Sequence, residues 1–227
     1  FYLALMYVNG KGVLQDYKES VKWYRLAADQ GHAAAQSNLG ELYENGRGVT
    51  QDDKEAVRWF RLAAEQGEAM AQLSLGSMYT NGTGVTQDDK EAVRWFRMAA
   101  EQGNAGAQLS LGTMYINGTG VTQDDKEAVC WYRLAAEQGE AMAQYNLGWM
   151  YRNGTGVTQD DKEAEKWYRL AADQGLADAQ YNLGVMCAKG QGIAQDDKEA
   201  MKWFRLASEQ GFAPAKDCLI KNYKNCD

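Results

Sequence analysis

The sequence predicts an all-α chain, a solenoid of tandem helix pairs, on three observations. Six tryptophans, Trp23, Trp59, Trp95, Trp131, Trp167 and Trp203, are spaced by 36 residues with no insertion or deletion. Each interval carries two sets of helix-start and helix-stop signals, and its apolar residues follow helical spacing. A tandem period of this length means that each unit buries its apolar face against its neighbours, not in one central core.

The elements follow in order within residues 52–87. Asp52 with Glu55 resembles a capping box, in which the Asp side chain takes backbone N–H groups left open at a helix start. The pair returns as Asp16 with Glu19, Asp88 with Glu91, Asp124 with Glu127, Asp160 with Glu163 and Asp196 with Glu199. The helix begun there, type B, carries Ala56, Trp59, Phe60, Ala63 and Ala64 at helical spacing and stops at Gly67. A second helix, type A, runs from about Ala69 to Thr80 and ends at Asn81 and Gly82, a pair that tolerates positive φ. Val85, returning as Val49, Val121 and Val157, is placed to plug the following loop onto the core. Inside the A-type helix a glycine recurs as Gly40, Gly76, Gly112, Gly148 and Gly184, although glycine there costs about 1 kcal/mol against alanine. The expected reason is close approach of a neighbouring helix backbone, with Ala63 and Ala71 as the facing small residues.

The order A-x-A-Q-x-x-L-G-x-M-Y-x-N-G-x-G-V-x-x-D, then K-E-A-x-x-W-[FY]-R-x-A-A, resembles the Sel1-like repeat, a relative of the tetratricopeptide repeat, and covers the chain in about six units. The resemblance implies a right-handed superhelix of helix pairs that serves as an adaptor, and a bacterial periplasmic, envelope or secreted setting. The expected organisation is one solenoid over residues 1–227, with a partial repeat at Phe1 and an atypical repeat at about 212–227, as in a fragment of a longer chain. Near the end Ile220 replaces the recurrent glycine and Asn222 the methionine, Lys221 and Lys224 add charge, and Pro214 sits in an early turn. That ending reads as a polar cap or as a truncation.

Composition excludes several functions. A net charge of −7 and a pI near 4.9 disfavour phosphate backbones, which are bound by clustered Lys and Arg, so nucleic acid is not an expected partner. No apolar run reaches the length of a membrane span. Cys130, Cys187, Cys218 and Cys226 fall at different points of the repeat and read as free thiols. The single histidine, His32, has no partner for acid–base or metal chemistry and reads as a solvated side chain. Asp52 with Asp53 and their copies lack the alternating ligand spacing of a calcium loop, and capping explains them. Asn81, Asn117 and Asn153 match a glycosylation sequon, yet Asn-Gly at a helix end already has a conformational cause. No enzyme activity, cofactor or metal is therefore expected. Arg61, which recurs as Arg25, Arg97, Arg133, Arg169 and Arg205, is expected to form ion pairs.

Comparing copies within this chain separates what stacking requires from what is free to change. In the A-type helix the changing positions are Met70, Leu73, Ser74, Ser77 and Thr80, which fall within an arc of about 120° at 100° per residue. Their spacing is similar to the ligand-facing positions of tetratricopeptide helices, which line a concave groove. Successive copies place Leu73, Leu109, Tyr145 and Tyr181 in a row, with Ile116, Trp149 and Val185 beside it and Met70 and Met142 near. An apolar row on a variable stripe reads as a surface for a protein or peptide, with Glu41, Glu44 and Arg152 at its rim, or as a surface covered by neighbouring repeats or other parts of a longer chain. The chain is thus expected to be a monomeric scaffold or, in the other reading, a structural spacer.

Overall fold

A computed structural model describes residues 1–220. Among them are thirteen helices and no strand. The A-type helices are α1 (Tyr2–Asn9), α3 (Ala33–Asn45), α5 (Ala69–Asn81), α7 (Ala105–Asn117), α9 (Ala141–Asn153), α11 (Ala177–Lys189) and α13 (Ala213–Ile220). The B-type helices are α2 (Tyr17–Ala28), α4 (Asp53–Glu65), α6 (Asp89–Glu101), α8 (Asp125–Glu137), α10 (Asp161–Asp173) and α12 (Asp197–Glu209).

Each B-type helix starts on the expected aspartate. Asp52 accepts from the backbone N–H groups of Lys54 and Glu55 at 3.0 and 3.1 Å, and the same pair of bonds forms at Asp16, Asp88, Asp124, Asp160 and Asp196. The reciprocal half of the capping box is different. The backbone N–H of Asp52 donates to the Tyr43 carbonyl at 3.0 Å, as that of Asp88 does to Tyr79, so the glutamate is not needed there. Glu55 and Glu91 instead pair with Arg58 and Arg94, at 3.4 and 3.3 Å. The A-type helices end on left-handed glycines such as Gly82 and Gly154, both at φ 68°. Gly84 answers a tighter demand, since a Cβ there would lie 2.3 Å from the Asp53 carbonyl oxygen.

The recurrent glycine inside the A-type helix meets an aromatic ring, which corrects the expected backbone-to-backbone contact. A Cβ on Gly76 would lie 2.7 Å from the Phe96 ring, and Gly40, Gly112, Gly148 and Gly184 face Phe60, Tyr132, Tyr168 and Phe204 in the same way. The residue after each of Trp59, Trp95, Trp131, Trp167 and Trp203 therefore packs so closely on the A-type helix before it that a Cβ would clash, whereas in the first repeat Ala4 holds this place beside Tyr24. A buried glutamine completes the joint. Gln72 donates to the Ala64 carbonyl at 3.1 Å and accepts from Gln102 at 2.7 Å, while Gln144 joins Ala136 and Gln174 at 3.1 and 2.8 Å. Each such residue satisfies both ends of a buried amide, which would otherwise be costly.

The recurrent arginine corrects a further expectation. Arg61 and Arg133 donate to the hydroxyls of Tyr79 and Tyr151, both at 2.6 Å, and not to carboxylates. Arg169 does form ion pairs, with Glu165 at 2.6 Å and Glu199 at 2.7 Å, because Cys187 occupies the place of the tyrosine.

The chain divides into two compact units, Phe1–Ala107 with Thr119–Thr122, and Gln108–Gly118 with Gln123–Asp227. The first holds one cluster around Tyr24, Leu39 and Trp59 and another around Phe60, Leu75, Met78 and Trp95. The second is centred on Tyr168, Leu183, Met186, Trp203 and Phe204. The tryptophan series is less uniform than its spacing. Trp59, Trp95, Trp167 and Trp203 are buried, under a cation from the preceding residue, 5.3 Å from the ring centroid for Arg58 and 4.8 Å for Lys202. Trp131 follows Cys130, which carries no cation, and is only partly buried, while Trp23 is 38% exposed.

Cys130 is an exposed free thiol and Cys187 a buried one, but Cys218 is disulfide-bonded, which overturns its reading as a free thiol. Cys226, Lys221, Asn222 and Lys224 lie outside the described residues. His32 is exposed as expected, yet it also caps α3 by accepting from the Ala35 N–H at 3.3 Å, and it stacks on Phe1 at 4.5 Å.

Candidate functional site

Helix α9 is fixed along one edge and open along another. Gln144, Leu147, Gly148 and Met150 are buried, with Gly148 under the Tyr168 ring and Gln144 tied to α8 and to Gln174. This anchoring turns Met142, Tyr145, Trp149 and Arg152 to one side, since residues three and four apart share a helix face. Met142 and Trp149 are 42% and 43% exposed. An indole that open, beside an open thioether, is a large apolar surface left in water.

Its neighbours are held in place. Tyr145 is partly buried, with its ring 5.7 Å from that of Tyr168, and burial, then the Asp178 charge, pushes its phenol pKa up against the opposing pull of Asn182 and Arg152. Tyr181 packs on Phe204 and Phe212 at 5.8 and 5.4 Å. Arg152, expected at the rim, is partly buried and donates to Asn182 Oδ1 at 3.3 Å and Gln191 Oε1 at 3.4 Å. Leu109 and Ile116 on α7 are partly buried.

Not every residue of the expected row is on the surface. Val185 is 2% exposed and belongs to the core around Met186 and Cys187, so it presents no contact area. It holds the repeat position of Trp149. In the first unit, Leu73 is partly buried against Gly106, Met70 is 54% exposed, Glu41 is exposed, and burial, then Glu41 and Asp53, raises the Glu44 pKa. Ser77 and Thr80 turn their hydroxyls back onto the carbonyls four residues earlier, at 3.1 and 3.0 Å. Those donors are not offered to a ligand.

A cleft of about 600 Å³ opens elsewhere in the second unit, lined by Arg133, Tyr151, Asp160, Glu163, Lys166 and Trp167. Several of its polar groups pair within the protein, Arg133 with Tyr151, Asp160 with the α10 N–H groups, and Glu163 with Lys166 and the Trp167 indole, while Glu137, Thr158 and Gln159 also line it. Among the described residues no group of three or more His, Cys, Asp or Glu is arranged to hold a metal, and no helix is long and apolar enough to cross a membrane.

These features define a tandem helix-pair repeat protein. Sel1 repeats match residues 1–32, 33–68, 69–104, 105–140, 141–176 and 177–212, and the chain belongs to that family. It is similar to the structure of a protective antigen present in uropathogenic Escherichia coli strains, which displays the same repeat fold, with a TM-score of 0.94 and 42% identity over 100% of this chain. The chain spans 48% of that antigen's length. A Sel1 repeat protein from Oxalobacter formigenes matches with a TM-score of 0.81 and 36% identity over 91% of this chain and 82% of its own. An immunity protein, Pa5087 of Pseudomonas aeruginosa, shares the fold alone, with a TM-score of 0.55 and 23% identity over 91% of this chain and 81% of its own. No curated protein matches the chain. Sel1 repeats form a non-catalytic scaffold that in general mediates protein–protein interaction, and these relatives are bacterial.

Proposed function

We propose that this chain is a protein-binding scaffold and that its partner docks on the variable stripe of the A-type helices, the concave face in the tetratricopeptide analogy, with Trp149 as the anchor. One observation carries the reading. Trp149 is the only tryptophan outside the 36-residue series, and it is 43% exposed on a helix whose opposite edge is locked into the core. Stacking does not ask for an indole there, since the sister positions hold Glu41, Ser77, Thr113 and Val185. Tryptophan in a partly open apolar site contributes large contact area at small entropic cost, as interface hot spots do. Met142, Tyr145, Leu109, Ile116 and Tyr181 supply the surrounding apolar surface. A bacterial envelope, periplasmic or secreted setting fits the relatives, one of them an antigen, and the chain is taken to act as a monomer.

The test is affinity capture with the purified chain, followed by titration of the captured partner, itself purified, against wild type and Trp149→Ala. The variant is expected to bind about 30-fold more weakly or worse, the equivalent of about 2 kcal/mol, with an unchanged melting temperature. Full-strength binding by a folded variant would remove the anchor and favour a spacer or a site on the B-type helices.

A further inference from the structure

Arg152 is a second departure from the repeat, three residues beyond Trp149 on the same face. Its sister positions hold Val8, Glu44, Thr80, Ile116, Ala188 and Lys224, so stacking does not require a cation there. Several other arginines have a strong partner, Arg58 and Arg94 in glutamates, Arg61 and Arg133 in tyrosine hydroxyls and Arg169 in two carboxylates, while Arg205 is exposed to water. Arg152 has two amide oxygens, at 3.3 and 3.4 Å, with the neutral Tyr168 hydroxyl nearby, and no ion pair among the described residues. A guanidinium carries five N–H donors, and both of these bonds are long.

The surroundings hold the group in place and leave its charge unanswered. The Asn182 amide is itself oriented, its Nδ2 donating to the Asp178 carbonyl at 3.0 Å, which keeps Oδ1 toward Arg152. The buried Tyr168 hydroxyl has no hydrogen bond of good geometry, and the nearby guanidinium only partly offsets the upward push of burial on its pKa. Asp178 acts on Tyr145 without forming an ion pair with Arg152. Helix α7 has no charged residue and α9 has only Arg152. A partly buried, pre-oriented cation without a counter-charge, in a chain of net charge −7, is suited to an anion arriving from outside.

We propose that Arg152 is a carboxylate subsite beside the Trp149 anchor, and that the partner is a peptide segment carrying an internal Asp or Glu next to an apolar side chain. The apolar residue covers Trp149 and Met142, and the carboxylate displaces the weak amide contacts of Arg152 with charge-assisted bonds. This rests on Trp149 being the docking anchor.

The probe is a displayed library of random short peptides fused at both ends, so that no free terminal carboxylate is offered, selected on the wild-type chain. A recovered peptide is then synthesised, with blocked ends, in its acidic form and with Gln or Asn in place of the acid, and titrated against wild type, Arg152→Gln, Arg152→Lys and Trp149→Ala. Wild type is expected to prefer the acidic form by about tenfold, Arg152→Lys to keep part of that preference, Arg152→Gln to lose it, and Trp149→Ala to bind neither form well. The position tolerates Thr80, Ile116 and Ala188 in sister repeats, so Arg152→Gln should fold, which thermal melting checks. Peptides that depend on Trp149 but show no acid preference, or keep it in Arg152→Gln, overturn the subsite and leave the anchor standing. Recovered peptides that bind Trp149→Ala at full strength, or no recovered peptide at all, count against the anchor and the subsite together.

Discussion

The repeats at residues 141–176 and 177–212 run in register, yet at matching positions they differ in what they expose and how they are tied. Trp149 is 43% exposed and Val185, one period later, is 2% exposed. Tyr151 takes the Arg133 guanidinium, whereas Cys187 replaces that tyrosine and Arg169 turns to Glu165 and Glu199. What both repeats keep is the joint: Gly148 and Gly184 under aromatic rings, Gln144 and Gln180 bridging to the flanking B-type helices, and Asp160 and Asp196 as caps. The difference teaches that this fold fixes its joints and leaves the outward stripe free to change, which the proposed docking surface requires.

The largest expected effect falls on the kept joints. Trp203→Ala empties a buried site in the second unit and should cost about 3 to 5 kcal/mol in chemical denaturation. Gly148→Leu follows, because even a Cβ there meets the Tyr168 ring at 2.9 Å, and a cost of about 3 kcal/mol or more is expected. If Gly148→Leu cost no more than an exchange at exposed Thr113, the division into joint and stripe would be wrong.

A gain of stability sharpens the comparison further. Cys130→Arg should place a cation over Trp131, as Arg94 lies 5.0 Å over Trp95, and raise stability by about 0.5 to 1 kcal/mol. A melting temperature that does not rise would mean that Trp131 is less covered for some other reason. The smallest effect concerns the two kinds of tie. Hydrogen bonding from Arg169 holds the Glu199 carboxyl below its ordinary pKa. Its contribution is present above the ordinary carboxylate range and lost as the pH falls through the lowered value. The stability gap between wild type and Glu199→Gln should therefore close on acidification, while that between wild type and Arg133→Ala, which breaks a tyrosine tie, should not.

Much of this was legible in the sequence because it is local. An aspartate followed by Glu three residues on, or Asn-Gly at a helix end, acts within one turn, and the caps at Asp52 and Gly82 fell where expected. The packed face was legible too, since Ala71, Gln72, Leu75 and Met78 are buried, whereas on the variable stripe Met70 is exposed and Leu73, Ser74, Ser77 and Thr80 are partly buried. Less legible were contacts joining residues far apart in the chain. Arg61 finds Tyr79 eighteen residues on, and Gln66 finds Gln36 thirty residues back. Recurrence of Gln36, Gln72, Gln108, Gln144 and Gln180 was the available signal for a shared joint, although a glutamine on a packed face is hard to tell from a tolerated polar residue. Repeat position alone also could not separate Trp149, 43% exposed, from Val185, 2% exposed in the core around Met186 and Cys187.

The most direct test pairs two tryptophans of the second unit, Trp149 on the stripe and Trp203 in the joint. Melting and partner titration are measured for Trp149→Ala and Trp203→Ala side by side. The account predicts that Trp149→Ala keeps the wild-type melting temperature and loses about 30-fold or more in affinity, while Trp203→Ala loses several kcal/mol of stability. A Trp149→Ala variant that melts as early as Trp203→Ala, or that stays folded and binds the partner at full strength, would contradict it.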